Sequence, residues 1–199
     1  TYSRVSRRGI VPNCFSHDHA GPLAWTSRDV ALVMTVIAGH DPRDPGSAAR
    51  EVPDYGAALT GKVDGLVIGV PWRWLEDELP PGLATRAAFE SALEVFKQLG
   101  AEIREIRLPP ILDYHAAMKV IAVSELFAIH AQDLRARPEL FGESLRYRIF
   151  AGGLVRAEEY LLALRARTDL ARATQDAMAN VDVVMLPTDE PAGRLEPVH

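Results

Sequence analysis

The densest cluster of ligand-type side chains in the sequence is His17-Asp18-His19. On a strand, two histidines at i and i+2 point to one side and could hold a metal with Asp18 or His40 as a further ligand. In a loop the same side chains hydrogen-bond locally instead. No second cluster of His or Cys completes a site, so local hydrogen bonding is the reading and no metal is expected. Cys14 near His17 and His19 has the types of a nucleophile and its base, but a lone cysteine is more often a small buried hydrophobe. Ser6 among Arg4, Arg7 and Arg8 is either a contact for a phosphate or carboxylate or part of a solvated basic turn. Arg146 and Arg148 precede the one Gly-Gly pair, Gly152-Gly153. Their guanidinium forks match a substrate carboxylate; the alternative is an ordinary exposed helix end. No Gly-x-Gly-x-x-Gly or Walker-type loop is present, so no nucleotide and no cofactor are expected. Residue types alone give no persuasive Ser, His and Asp set.

Composition bounds the remaining choices. The chain has 199 residues, 48% hydrophobic and 25% charged, with a net charge of −5. That is an ordinary globular composition, large enough to bury a core. A mildly acidic chain has no general attraction for phosphate backbones or anionic lipid, so neither nucleic acid nor a membrane is an expected partner. Cys14 is the single cysteine, which excludes an internal disulfide. No apolar stretch approaches the roughly 18 residues of a membrane span. Thr1-Tyr2-Ser3-Arg4 is not followed by an apolar h-region, so no signal peptide is expected there and a cytoplasmic location is the default. Trp25, Trp72 and Trp74 read as packing residues rather than a base-stacking platform. Arg165, Arg167 and Arg172 among Glu158, Glu159 and Asp169 read as a solvated helix face.

The elements that must position these residues are legible as patterns. Thr26 and Asp29 open a helix with a capping box; Val30, Val33, Met34, Ile37 and Ala38 share its apolar face, and Gly39 stops it. Residues 39–47 then read as a long surface loop. The run 65–71 predicts a strand buried on both faces. A helix from about Leu83 to Leu99 follows, with Phe89, Ala92, Leu93, Phe96 and Leu99 as its stripe, and then a strand over 102–108. Strand, helix and strand form a βαβ unit, which implies parallel strands. Asp113 is placed as the cap of a long helix from about Tyr114 to Leu134. Another helix runs from about Arg156 to Ala179, and Asp182 to Pro187 predicts a third buried strand. The class is α/β, a mostly parallel sheet flanked by helices. Three strands are few for so many apolar helices.

Three motifs in order carry a family resemblance. Tyr2-Ser3-Arg4-Val5-Ser6-Arg7-Arg8-Gly9, then Ser16-His17-Asp18-His19-Ala20-Gly21-Pro22-Leu23, then Gly39-His40-Asp41-Pro42-Arg43-Asp44-Pro45 resemble the amidase signature family. That family carries Tyr-Gly-Arg-Val-Ser-Arg-Tyr-Gly, Ser-Leu-Asp-His-Val-Gly-Pro-Met and Gly-x-Asp-Pro-x-Asp-Pro. Departures are Ser3 for Gly, Arg8 for Tyr and His17 for Leu. The βαβ stretch, Val120 to Glu125 and Asp182 to Thr188 are similar more loosely, so the resemblance spans nearly the whole chain.

The resemblance implies a mixed, mostly parallel sheet and an amide-bond hydrolase acting on linear carboxamides. It implies a Ser nucleophile, a second Ser with a cis peptide bond and a Lys base, with backbone N–H groups as oxyanion donors. In the family that machinery precedes the Tyr-Gly-Arg motif, and further strands follow the Pro-Thr strand. The expectation is therefore that residues 1–199 are the middle to C-terminal portion of a single amidase domain, inactive alone. Asp18, His19 and Gly21 are the expected support behind the site. The region after Phe141-Gly142-Glu143 resembles the one that supplies a substrate-binding Arg in the amidase component of tRNA-dependent amidotransferases; Arg148 is chosen, with Arg146 second. A small-molecule amide is the expected partner. The alternatives are that amidotransferase component, a non-catalytic partner-binding domain, or a metal-dependent hydrolase using His17, Asp18 and His19. Exposed sheet edges and apolar helix faces would need a partner or self-association as a homo-oligomer to cover them.

Overall fold

The computed structural model describes Tyr2–Thr188; Thr1 and the tail of the expected 1–199 domain span lie outside the described residues. The chain forms two compact units, Thr1–Gly61 with Ala117–Leu164, and Lys62–Ala116 with Arg165–His199.

The second unit holds the sheet. β1 (Val67–Val70) lies between β2 (Glu102–Glu105) and β3 (Val183–Val184), parallel to both. Val67 pairs with Glu102 and Ile68 with Val183. The apolar run of β1 is central and buried, as its composition predicts: Ile68 is 1% exposed and Val70 0%. Gly69 fits between Ile106 and Val181, where a Cβ would lie 3.0 Å and 3.2 Å from their methyl groups. β3 is shorter than expected and is not buried; Val183 is 42% exposed, because it has a strand neighbour on one side only among the described residues. Asp182 holds the start of that strand twice: its N–H donates to the Val67 carbonyl, and its carboxylate accepts from Val67 N–H at 2.8 Å.

Helix α2 (Leu83–Gln98) packs on this sheet through Phe89 and Leu93, with Phe96 partly buried and Leu99 exposed beyond the last turn. Gly100 ends it at φ +95°, where a Cβ would lie 2.5 Å from Asp64 Oδ1, so glycine is required twice over. A π-helical turn, Trp74–Glu78, follows β1 and has no sequence signal. It sets up the start of α3 (Ile111–Ala136). That helix begins directly after Pro109-Pro110, three residues ahead of the predicted start. Its first N–H, of Ile111, donates to the Glu78 carboxylate at 2.7 Å. Asp113 is therefore in the first turn rather than at the cap: a carboxylate distant in sequence took that task. Trp72 packs against Phe89 and Trp74 against Tyr114, both edge to face, as expected for packing residues.

The first unit contains α1 (Ser27–Ile37), residues 117–136 of α3, α4 (Glu143–Gly152), and the start of α5 (Ala157–Ala177). Thr26 caps α1 as predicted, its side chain accepting from Asp29 N–H. The buried face is narrower than the stripe: Ala31 and Met34 are buried, whereas Val33 and Ile37 are 40% and 39% exposed. Trp25, expected to pack, is 98% exposed, since no described residue covers the turn before α1. Ile121 and Ala163 form one apolar cluster with Cys14, and Leu126, Leu134 and Ile149 form another. α4 crosses α3 where it carries Gly152; no side chain would fit there, since a Cβ would lie 1.9 Å from the Val123 carbonyl oxygen.

Candidate functional site

The first and third sequence motifs are locked together. The Arg7 guanidinium and backbone N–H both donate to Asp44, and Gly46 N–H adds a bond at 2.9 Å. Ser6 donates to Asp41 at 2.9 Å, and Arg43 folds back on the same carboxylate. Arg4 reaches the Glu51 carbonyl. These contacts correct two sequence readings. Ser6 and Arg7 are neither an anion site nor a solvated turn, and the loop 39–47 is not wholly at the surface, because Asp44 and Ser47 are buried. Hydrogen bonds from Arg7 hold the Asp44 carboxyl well below the usual aspartate range; those from Arg43 do the same for Asp41. Both carboxylates stay ionised wherever the protein is at neutral or mildly acidic pH. Ser3, where the family has Gly, sits at φ +59°, the single non-glycine with positive φ among the described residues. The family glycine is explained by that left-handed turn.

The second motif forms a turn closed on itself. Asp18 Oδ2 accepts from the N–H groups of Asn13 and Cys14 at 2.7 and 2.9 Å, and Asp18 N–H donates to the Cys14 carbonyl. His19 Nδ1 lies 3.0 Å from the His17 carbonyl oxygen and its ring meets Tyr2 edge on. Asp18 and His19 thus spend themselves on local bonds, as the loop reading expects. Gly21 is exposed in the extended segment that follows.

Beneath this turn lies a cluster that sequence reading missed. Glu125 of α3 is buried, 7% exposed. Its carboxylate accepts from Cys14 Sγ (2.9 Å), Ser16 N–H (2.9 Å), Ser16 Oγ (2.8 Å) and Tyr160 OH (3.3 Å). Burial alone would raise the Glu125 pKa, but these four donors together outweigh it and the group is held ionised. The same burial, with Glu125 beside it, pushes the Cys14 thiol up to about 11. Cys14 is therefore a protonated donor whose partner is Glu125, not a nucleophile served by His17 or His19. One signal pointed here: Ser124-Glu125 closes one of the family-like stretches, yet nothing local says that its partner lies 109 residues away.

A cleft of about 620 Å³ opens beside these motifs, walled by Ile10, Phe15, Asp18, Arg8 and Arg43 among others. Its size is that of a small-molecule pocket. Arg146 and Arg148 stand on α4, an element the sequence reading did not delimit. Arg146 is half-buried and Arg148 exposed, and neither guanidinium has an ion-pair partner among the described residues. No side-chain bond joins them to Asp18 or His19 among the described residues. Nor does any group of three or more His, Cys, Asp or Glu side chains there converge as a metal site would require, and no described helix is long and apolar enough to cross a membrane.

Comparison with known proteins agrees with the motifs. The Amidase family profile matches residues 1–197. An amidase from Pseudomonas putida is 37% identical over 100% of this chain and 43% of its own length. A glutamyl-tRNA(Gln) amidotransferase subunit from Chloroflexus aggregans is 36% identical over 94% of this chain and 43% of its own. Among solved structures, a chain of a vestigial protein complex bearing on the origins of an s-triazine catabolic enzyme superposes with a TM-score of 0.84 at 33% identity. It covers 96% of this chain and 41% of that one. A crystal structure of an amidase gives 0.77 at 31% identity, over 96% and 40%. The chain spans less than half the length of the curated relatives it matches. Motifs, parallel sheet and superposition agree: the chain belongs to the amidase signature family.

Proposed function

We propose that the complete protein is an amide-bond hydrolase of the Ser-Ser-Lys type acting on linear carboxamides, and that residues 1–199 are the substrate-side portion of its single amidase domain. The observation that carries this reading is the family match across residues 1–197, joined to the order of the three motifs. An amide is a poor electrophile. Its hydrolysis needs a hydroxyl that has lost its proton and fixed donors for the oxyanion. This chain's own part is to bind and orient. Arg148, exposed and without an ion-pair partner among the described residues, offers a planar fork to an acidic group on the substrate, with Arg146 as the second contact. Asp18, His19 and Gly21 back the site through the turn described above. The exposed side chains of Leu23, Trp25 and Val36 support a portion of a larger domain, since such surface is ordinarily covered.

The test is steady-state ammonia release by the complete protein from carboxamides with and without a free carboxylate. Arg148→Ala is expected to raise KM for the carboxylate-bearing substrate about 10- to 100-fold, the worth of a charged hydrogen bond, and to leave the neutral substrate unchanged. Equal effects on both substrates would remove Arg148 from the site. A second reading, the amidase component of a tRNA-dependent amidotransferase, is favoured by the glutamyl-tRNA(Gln) amidotransferase relatives. It predicts that ammonia release requires added partner proteins.

A further inference from the structure

The segment from Pro12 to Ser16, which leads into the second motif, is gripped by α3 at two points. His130 Nε2 donates to the Pro12 carbonyl at 3.0 Å. Glu125 takes three bonds from Cys14 and Ser16, and a fourth from Tyr160 on α5. The first grip is a single bond to a backbone oxygen. The second is a buried charge whose donors come from two other segments, which makes it directional and costly to rearrange. Asp18 closes the same turn from within, through the N–H groups of Asn13 and Cys14. Cys14 therefore serves both networks, its N–H bound by Asp18 and its Sγ by Glu125. Arg7 Nη1 donates to the Phe15 and Asp18 carbonyls at 2.6 and 3.4 Å, and Tyr2 OH to that of Ser16 at 3.1 Å, so the turn is held from two sides and Glu125 is the charged anchor that ties it to α3.

We infer that Glu125 is a positioning residue: its buried carboxylate clamps the Cys14–Asp18 turn against α3 and so fixes the segment that backs the amide-hydrolysing site. The inference rests on the amidase reading for its catalytic consequence, and on the bonds alone for its structural one. Glu125 is buried and its carboxylate is engaged by Cys14, Ser16 and Tyr160, so its effect reaches the site through the loop. Its loss is expected in kcat rather than KM, because a slight misplacement of supporting groups costs rate at about the 100-fold level.

The experiment uses the complete protein, with ammonia release from propionamide and benzamide and iodoacetamide labelling of Cys14 in the native state. Glu125→Ala is expected to lower kcat about 100-fold with KM within about twofold. Glu125→Gln keeps the shape and one acceptor oxygen, so its kcat is expected to fall about tenfold. Leu93→Ala, in the core of the other unit, is the control for lost stability and retains the wild-type kcat. Cys14, 1% exposed, is expected to stay unlabelled in the wild type and to become labelled in Glu125→Ala. Should that variant fail to fold, Glu125→Gln and Ser16→Ala carry the test, both with the same kcat-against-KM split. The inference is overturned if kcat falls no further than in Leu93→Ala, or if Cys14 stays as unreactive as in the wild type. A wild-type protein that releases no ammonia from either amide defeats the amidase reading instead, and the labelling result still judges the clamp.

Discussion

Gly152→Ala is expected to destabilise the protein by about 3 kcal/mol, the upper end of the usual overpacking cost. Two effects oppose each other at this position. Alanine in place of glycine within a helix gains roughly 1 kcal/mol from intrinsic propensity. Against that, the added Cβ would lie 1.9 Å from the Val123 carbonyl oxygen, 2.6 Å from its carbon and 2.9 Å from Phe127 Cβ. The first two are backbone atoms of α3, so no rotamer change relieves the clash and α4 itself must move away. Packing wins. Gly153 makes the contrast: a Cβ there meets the Phe127 ring, 2.7 Å at its nearest atom, and a ring can turn. Gly153→Ala is expected to cost less. Urea unfolding of both variants measures the difference, and a Gly152→Ala protein as stable as the wild type would refute the close crossing of α3 and α4. Because Arg148 lies one turn before Gly152 on α4, the same substitution should also disturb the proposed substrate contact.

In the other unit, Phe89→Ala should lower the unfolding free energy by about 3–5 kcal/mol. Phe89 is 6% exposed and belongs to the cluster of Ile68, Val70, Leu75, Leu93 and Ala101 under the sheet. Its ring meets Trp72 at a centroid distance of 6.1 Å and 71°, a geometry that adds about 1 kcal/mol to simple burial. Removing the ring leaves a cavity between β1 and α2 that rigid neighbours close only in part. Val95, on the same helix but 53% exposed, sets the scale: Val95→Ala is expected to change stability by less than about 0.5 kcal/mol. Thermal unfolding of the pair reads this directly. Similar small changes in both would mean that α2 does not pack on the sheet through this face.

What the sequence made legible was local. The Thr26–Asp29 cap, the apolar run of β1 and the stripe of α2 up to Phe96 each follow from neighbours within a few residues, and each stands in the structure. The parallel pairing followed from the strand–helix–strand order. The misses share a cause: they depend on residues far apart in the chain. Nothing near Ile111 says that Glu78 will bind its N–H, so Asp113 reads locally as the cap. Nothing near Asp44 says that Arg7, 37 positions earlier, will bury it. The buried face of α1 is narrower than its apolar stripe because helical periodicity reports which side chains align, not what lies against them. Glu125 is the clearest case. A glutamate inside a long helix carries no local sign of burial, and it is the donors arriving from Cys14, Ser16 and Tyr160 that make it the buried centre of the cluster. Arg146 and Arg148 are legible from residue type beside the Gly-Gly pair, the resemblance ranks Arg148 first, and the structure adds that they share α4, which Gly152 brings close to α3.

The central proposal is that this chain supplies the substrate side of an amide hydrolase whose reacting groups lie elsewhere in the complete protein. Ammonia release from a common set of linear carboxamides, measured side by side for the complete protein and for residues 1–199 purified alone, tests it most directly. The account predicts turnover by the complete protein, abolished when its nucleophilic serine is replaced, and no turnover by the 199-residue chain. Serine-dependent turnover by the isolated chain, or none by the complete protein, would contradict it.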